Sequence, residues 1–113
     1  MHILIVDDRE DNLYFLQALL SGNGYTVNAC ANGEDALAYL QREKVDLIIS
    51  DILMPIMDGF QLCRKIKADP KTAAIPVIFY TATYTGTQDE ELAMKVGASR
   101  FVVKPCEPEL MIR

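Results

Sequence analysis

Short apolar runs alternate with stretches of helical spacing along the whole chain. Ile3-Leu4-Ile5-Val6 is apolar and β-branched and closes on Asp7-Asp8, which predicts a buried first strand. From Glu10 to Leu20, Leu13, Leu16, Leu19 and Leu20 recur at helical spacing. Glu10 and Asp11 fall in the first turn of that helix, where its dipole favours acids, and Gly22 and Gly24 end it. Tyr25-Thr26-Val27-Asn28-Ala29 alternates more and predicts a second strand near a sheet edge. Asn32-Gly33 opens a second helix with Ala36, Leu37 and Leu40 on its inner face.

Val45 to Ser50 predicts a third strand, buried on both faces through Leu47, Ile48 and Ile49, that delivers Asp51 to its end. Met54-Pro55 and Asp58-Gly59 then mark a loop, with Asp58 and Gly59 read as turn and helix-start residues. Phe60, Leu62, Cys63 and Ile66 mark a third helix, closed by Asp69-Pro70. Pro76 to Tyr80 predicts a fourth strand running into Thr81. Thr87-Gln88-Asp89-Glu90 reads as a capping box, with the Thr87 hydroxyl at the cap and the Glu90 carboxylate three residues on. The helix it starts runs through Ala93 and Met94 and stops at Gly97. Ser99 to Val103 predicts a fifth strand ending at Lys104-Pro105, and Glu107 onward a fifth helix truncated at Arg113. Strands alternating with helices give an α/β fold with a parallel sheet covered on both faces.

Composition narrows the partners. At 113 residues, half of them apolar, the chain suits one domain spanning 1–113. The net charge of -5 argues against nucleic acid or an anionic membrane as a direct partner and suits a pocket for a divalent cation. Cys30, Cys63 and Cys106 have neither zinc nor disulfide spacing, so they read as small buried or half-buried residues in a reducing, cytoplasmic setting. His2 is the only histidine, at the chain end, where a metal or acid–base role is not expected. No apolar run approaches membrane-spanning length, and Met1-His2-Ile3 enters a strand directly, which leaves no room for a signal peptide.

In parallel sheets of this kind, sites form beyond the carboxyl ends of the strands. Those ends carry Asp7-Asp8, Asp51, Thr81 and Lys104. Three carboxylates that converge at neutral pH need a cation or a proton between them. Mg2+ fits, because it binds through one or two carboxylates and keeps positions for waters and phosphoryl oxygens. With an ammonium and a hydroxyl nearby, the set suits transfer of a phosphoryl group onto a carboxylate.

Asp7-Asp8, Asp51 with Met54-Pro55 and Asp58-Gly59, Thr81 and Lys104-Pro105, each at its strand end, resemble the receiver domain of two-component response regulators over essentially the whole chain. The resemblance implies a flavodoxin-like, doubly wound sheet of order 2-1-3-4-5 and a phosphorylation-dependent switch. Asp51 would be the phosphoacceptor, served by a histidine kinase or phosphotransfer protein. Asp8, Asp51 and the Leu53 carbonyl would ligate Mg2+, and Asp7 would act through a coordinated water. Lys104 would pair with Asp51 and then with a phosphoryl oxygen. Thr81 would bind another, moving inward and freeing space for Phe101 to rotate in. By spacing alone Phe101 is a core aromatic. The Lys104-Pro105 bond would be cis. The output would be an effector domain or partner, with a homodimer through the face of the fourth helix and fifth strand. The truncated last helix suggests a segment of a longer protein, and the Asp7-Asp8-Arg9-Glu10-Asp11-Asn12 opening resembles receivers attached to sensor kinases or cyclases as much as stand-alone regulators.

Leu53 and Thr83 occupy the two variable places beside the acceptor and offer no amide or carboxylate to orient water, so spontaneous dephosphorylation is expected to be slow. Phe101 lacks a phenol, so its switching would work by packing. Three rivals fit less well. A phosphatase of the haloacid dehalogenase type needs a second aspartate two residues after its nucleophile, where Arg9 or Glu10 stands. A flavodoxin-like cofactor protein needs a phosphate-cradling loop where Asp7-Asp8-Arg9-Glu10-Asp11 would repel one. A degenerate receiver would have lost Asp51, Lys104 or an acidic residue, and all are present.

Overall fold

The computed structural model describes residues 1–82 and 86–104. Thr83, Cys106, the Lys104-Pro105 bond and the helix expected from Glu107 lie outside the described residues.

Every expected strand forms. They are β1 (His2–Val6), β2 (Thr26–Cys30), β3 (Leu47–Ser50), β4 (Val77–Thr81) and β5 (Arg100–Val103). They pair in parallel in the order β2-β1-β3-β4-β5, the flavodoxin-like arrangement. Between them run α1 (Glu10–Gly22), α2 (Gly33–Arg42), α3 (Gly59–Ala68) and α4 (Thr87–Lys95).

Strand alternation sorts the core into two layers. Leu4, Val6, Ile48, Val77 and Phe79 face α2, α3 and α4, where they meet Ala36, Leu40, Leu62, Cys63, Ile66 and Ala93. Ile3, Ile5, Leu47, Ile49, Ile78 and Tyr80 face the other way, onto Leu13, Leu16 and Leu20 of α1. This division matters for the site, because it decides on which side of the sheet each strand-end residue emerges.

Local chemistry accounts for the boundaries. Asn32 caps α2 by accepting the Asp35 N–H at 2.7 Å. The third helix starts at Gly59 as expected, and Asp58 caps it in a reciprocal box with Gln61. The start of α4 differs from expectation. Gly86, not Thr87, is the cap residue, and the Asp89 carboxylate, not Glu90, accepts its N–H at 3.1 Å. The helix registers one residue earlier because the Gly86 carbonyl already accepts from Asp89 and Glu90 N–H. Tyr25 is held out of β2 because its N–H turns back to the Leu20 carbonyl at 3.2 Å. Cys63 is buried and Cys30 half-buried.

Candidate functional site

The hydrogen-bond ladder runs one residue past the assigned strands at the carboxyl edge. Asp7 N–H reaches the Cys30 carbonyl (3.2 Å), Asp51 N–H the Val6 carbonyl (2.9 Å) and Lys104 N–H the Thr81 carbonyl (2.8 Å). Alternation therefore continues as well. Ile3 and Ile5 are followed on the α1 side by Asp7, Leu47 and Ile49 by Asp51, and Val102 by Lys104. Three polar residues far apart in sequence thus share one face at one edge.

They meet there. Lys104 Nζ donates to Asp7 Oδ2 at 3.0 Å and to Asp51 Oδ2 at 3.1 Å. The side chains are 15%, 4% and 11% exposed, so water screens the pairing weakly. Asp7 has both oxygens engaged. Oδ1 accepts the Arg9 N–H at 2.9 Å, closing a turn that opens α1, and Oδ2 also accepts from Asn12 Nδ2 at 3.2 Å. Burial pushes the Asp7 carboxyl above its ordinary 3.8, against the Arg9 N–H and the Lys104 ammonium, and the charge on Asp51 adds to the rise. For Lys104 burial works the other way, yet hydrogen bonds and charges from Asp7 and then Asp51 outweigh it and hold the ammonium above 10.5.

Asp51 is fixed by its own backbone surroundings. Its Oδ1 accepts the Ile52 N–H at 2.7 Å, and its carbonyl takes the Ser50 hydroxyl at 2.7 Å. Gly59 N–H closes the loop onto the Ile52 carbonyl at 2.8 Å. Within the loop, Met57 N–H bonds the Pro55 carbonyl at 2.7 Å across Ile56, whose φ is 70°. That is a γ-turn of the rarer, positive-φ hand, which a β-branched side chain disfavours. It leaves Ile56 88% exposed and Leu53 half-exposed beside the acceptor.

Asp8 is exposed at the same edge. Thr81 is fully buried at the end of β4. Val77 and Phe79 face α2, α3 and α4, so alternation carries Thr81 to that side, opposite Lys104. Half-buried Phe101 pairs with Phe79 and packs on the same layer, diagonal to Thr81 across the β4–β5 ladder. The structure thus brings Asp7, Asp51 and Lys104 into contact and sets Thr81 and Phe101 together on the other face.

A metal ion would meet an oxygen-only donor set here. Among the described residues no group of three or more His, Cys, Asp or Glu side chains forms a ready cage. Mg2+ does not need one, since it works through one or two carboxylates and retained waters. Among the described residues, Asp7, Asp8 and Asp51 outnumber the Lys104 ammonium, which leaves negative charge for a divalent cation to balance, and the exposed Asp8 is accessible to it. The donor chemistry therefore fits.

Three residues support the site beyond any role the sequence assigns them. Asn12 shares Asp7 Oδ2, Gly59 backs the Asp51 main chain, and Tyr80 lies against Lys104. Asn12 follows the Asp7 turn by less than two helical turns, a spacing visible in sequence; the other two depend on how strands and loops pack.

The sequence model for the response regulator receiver domain matches residues 3–113. Response regulator PleD of Caulobacter vibrioides is 42% identical over 109 residues, 96% of this chain, but the chain spans only 24% of PleD's length. Protein PilH of Pseudomonas aeruginosa is 38% identical over 111 residues, 98% of this chain and 91% of PilH. Among solved structures, the signal receiver domain of a signal transduction histidine kinase from Syntrophus aciditrophicus is 38% identical with a TM-score of 0.86, covering 96% of this chain and 82% of that one. The chemotaxis response regulator CheY4 of Vibrio cholerae is 32% identical with a TM-score of 0.88, covering 97% and 91%. With this fold and this strand-edge site, the chain belongs to the response regulator receiver domain family.

Proposed function

We propose that the chain is a phosphorylation-dependent signalling switch in which Asp51 accepts a phosphoryl group. The observation that carries this is the Lys104 ammonium bridging Asp7 Oδ2 and Asp51 Oδ2 at the carboxyl edge of the sheet. A carboxylate oxygen of Asp51 bonds to phosphorus as the phosphorus–nitrogen bond of a partner's phosphohistidine breaks. The electron pair leaves on the imidazole nitrogen, which takes up a proton from solvent. Lys104, already charged and desolvated, transfers its pairing to a phosphoryl oxygen. Bound Mg2+, held by Asp8, Asp51 and the Leu53 carbonyl, with Asp7 acting through water, would neutralise charge on the transferring group. Thr81, moving inward from its own face of the sheet, supplies a hydroxyl hydrogen bond to the phosphoryl group, and Phe101, on that same face, repacks into the space Thr81 vacates.

The donor would be a histidine kinase or phosphotransfer protein, and the reader an effector domain or partner, or a second copy through the α4–β5 face. The chain spans 24% of PleD but 91% of PilH, so similar chains occur both within much longer proteins and nearly alone. The decisive experiment is incubation with Mg2+ and labelled acetyl phosphate. Label on Asp51 that disappears in Asp51→Asn is expected; label that survives the substitution overturns the reading.

A further inference from the structure

Tyr80 and Lys104 come from neighbouring strands. Tyr80 pairs with Val102, and Lys104, two residues on, stands on the same face as its diagonal neighbour. The ammonium lies over the Tyr80 ring, 5.2 Å from its centroid. That is inside the reach of about 6 Å over which a ring face attracts a cation. Tyr80 is 5% exposed and the lysine side chain 15%, so little water weakens the attraction.

An ammonium has three N–H donors. Asp7 Oδ2 and Asp51 Oδ2 are two of its acceptors. When the phosphoryl group arrives, the pairing with Asp51 must loosen while the charge stays in place. A cavity of about 290 Å³, lined by Asn12, Phe15, Leu16, Tyr80, Ala82 and Lys104, gives the flexible lysine stem room to swing away. Another carboxylate would hold the cation but repel the incoming phosphoryl anion. A ring face holds the cation without net charge and tolerates a change in direction.

We propose that Tyr80 is a positioning residue for Lys104, its ring keeping the ammonium at the acceptor while the carboxylate contacts rearrange. The proposal rests on the reading of Asp51 as phosphoacceptor.

Two readouts test it. In the NMR spectrum of the wild type, the Lys104 Hε protons are expected upfield of the other lysines from the ring current. Ordinary shifts there overturn the contact without any variant. The rate of Asp51 labelling by acetyl phosphate at saturating Mg2+ is expected to fall about three- to fivefold in Tyr80→Leu, and in Tyr80→Met should the leucine variant not fold. Tyr80→Phe, which keeps the ring, should restore both the shift and most of the rate. A Tyr80→Leu rate equal to wild type overturns the positioning role alone. A Tyr80→Phe rate as low as Tyr80→Leu also overturns it, by assigning the effect to the phenol oxygen. Absence of label in the wild type sinks the acceptor reading and this role with it.

Discussion

Gly59 lies so close to Asp51 that a Cβ on it would fall 2.5 Å from the Asp51 carbonyl oxygen and 2.8 Å from the Ile52 Cα. Both neighbours are main chain and cannot rotate away. The residue that starts α3 is therefore also the one that lets the acceptor's backbone sit where it does. Gly59→Ala should push the Asp51–Ile52 segment outward, costing about 1–3 kcal/mol of stability. Urea denaturation checks the loss. Labelling by acetyl phosphate should slow in the same variant, since the carboxylate moves with its backbone.

Asp7 carries a charge that the fold disfavours. Its folded-state value lies above 3.8 because burial outweighs its donors. The native state therefore holds this proton more firmly than the unfolded chain, and stability falls as pH rises from near 3.8 through the folded value. Asp7→Asn removes that penalty and can keep the Arg9 N–H bond. Without Mg2+ the variant should show a higher urea midpoint than wild type at pH 7, and the difference should shrink toward pH 3. A lower midpoint at pH 7 would show that the Lys104 pairing dominates instead.

Ile56 sits at φ 70° with 88% of its surface exposed, so strain is not repaid by burial. The left-handed conformation costs an L-residue about 1–2 kcal/mol, and glycine in its place gives back about 0.5–1 kcal/mol in chain entropy. Ile56→Gly should thus stabilise the protein by about 0.5–1 kcal/mol in chemical denaturation. An unchanged or lower midpoint would mean the loop relaxes the strain elsewhere.

Burial pushes the thiols of Cys63 and Cys30 above 9.0, the latter with help from Asp35. Both stay protonated at neutral pH, and thiols alkylate through the thiolate. Iodoacetamide at pH 7.5 should modify Cys63 roughly tenfold more slowly in the folded protein than in urea, with Cys30 between the two. Peptide mass spectrometry reads each site separately. Equal folded and unfolded rates at Cys63 would contradict its packing in the α3 layer.

The strand runs were legible because a parallel strand covered on both faces must be apolar along most of its length. Ile3 to Val6 and Leu47 to Ile49 could hardly be anything else. Asp58-Gly59 was legible as a turn and helix start, while the capping box of Asp58 with Gln61 came from the structure. The sequence points to Thr87 as the α4 cap because Asp89 and Glu90 stand side by side, and only the backbone path selects Asp89 with Gly86.

By itself, then, the sequence determined the strands and first four helices, their alternation and the polar residues that close four of the five strands, since those follow from local periodicity and burial. Asp51 and Lys104 were visible in that way. Tertiary structure alone decided that Lys104 bridges to Asp7 as well as to the expected Asp51, that Thr81 leaves by the opposite face, and that Gly59 and Tyr80 support the acceptor. The physical reason is register. A one-residue slip in any strand would send its end residue to the other side of the sheet, and register is set by pairings between segments dozens of residues apart.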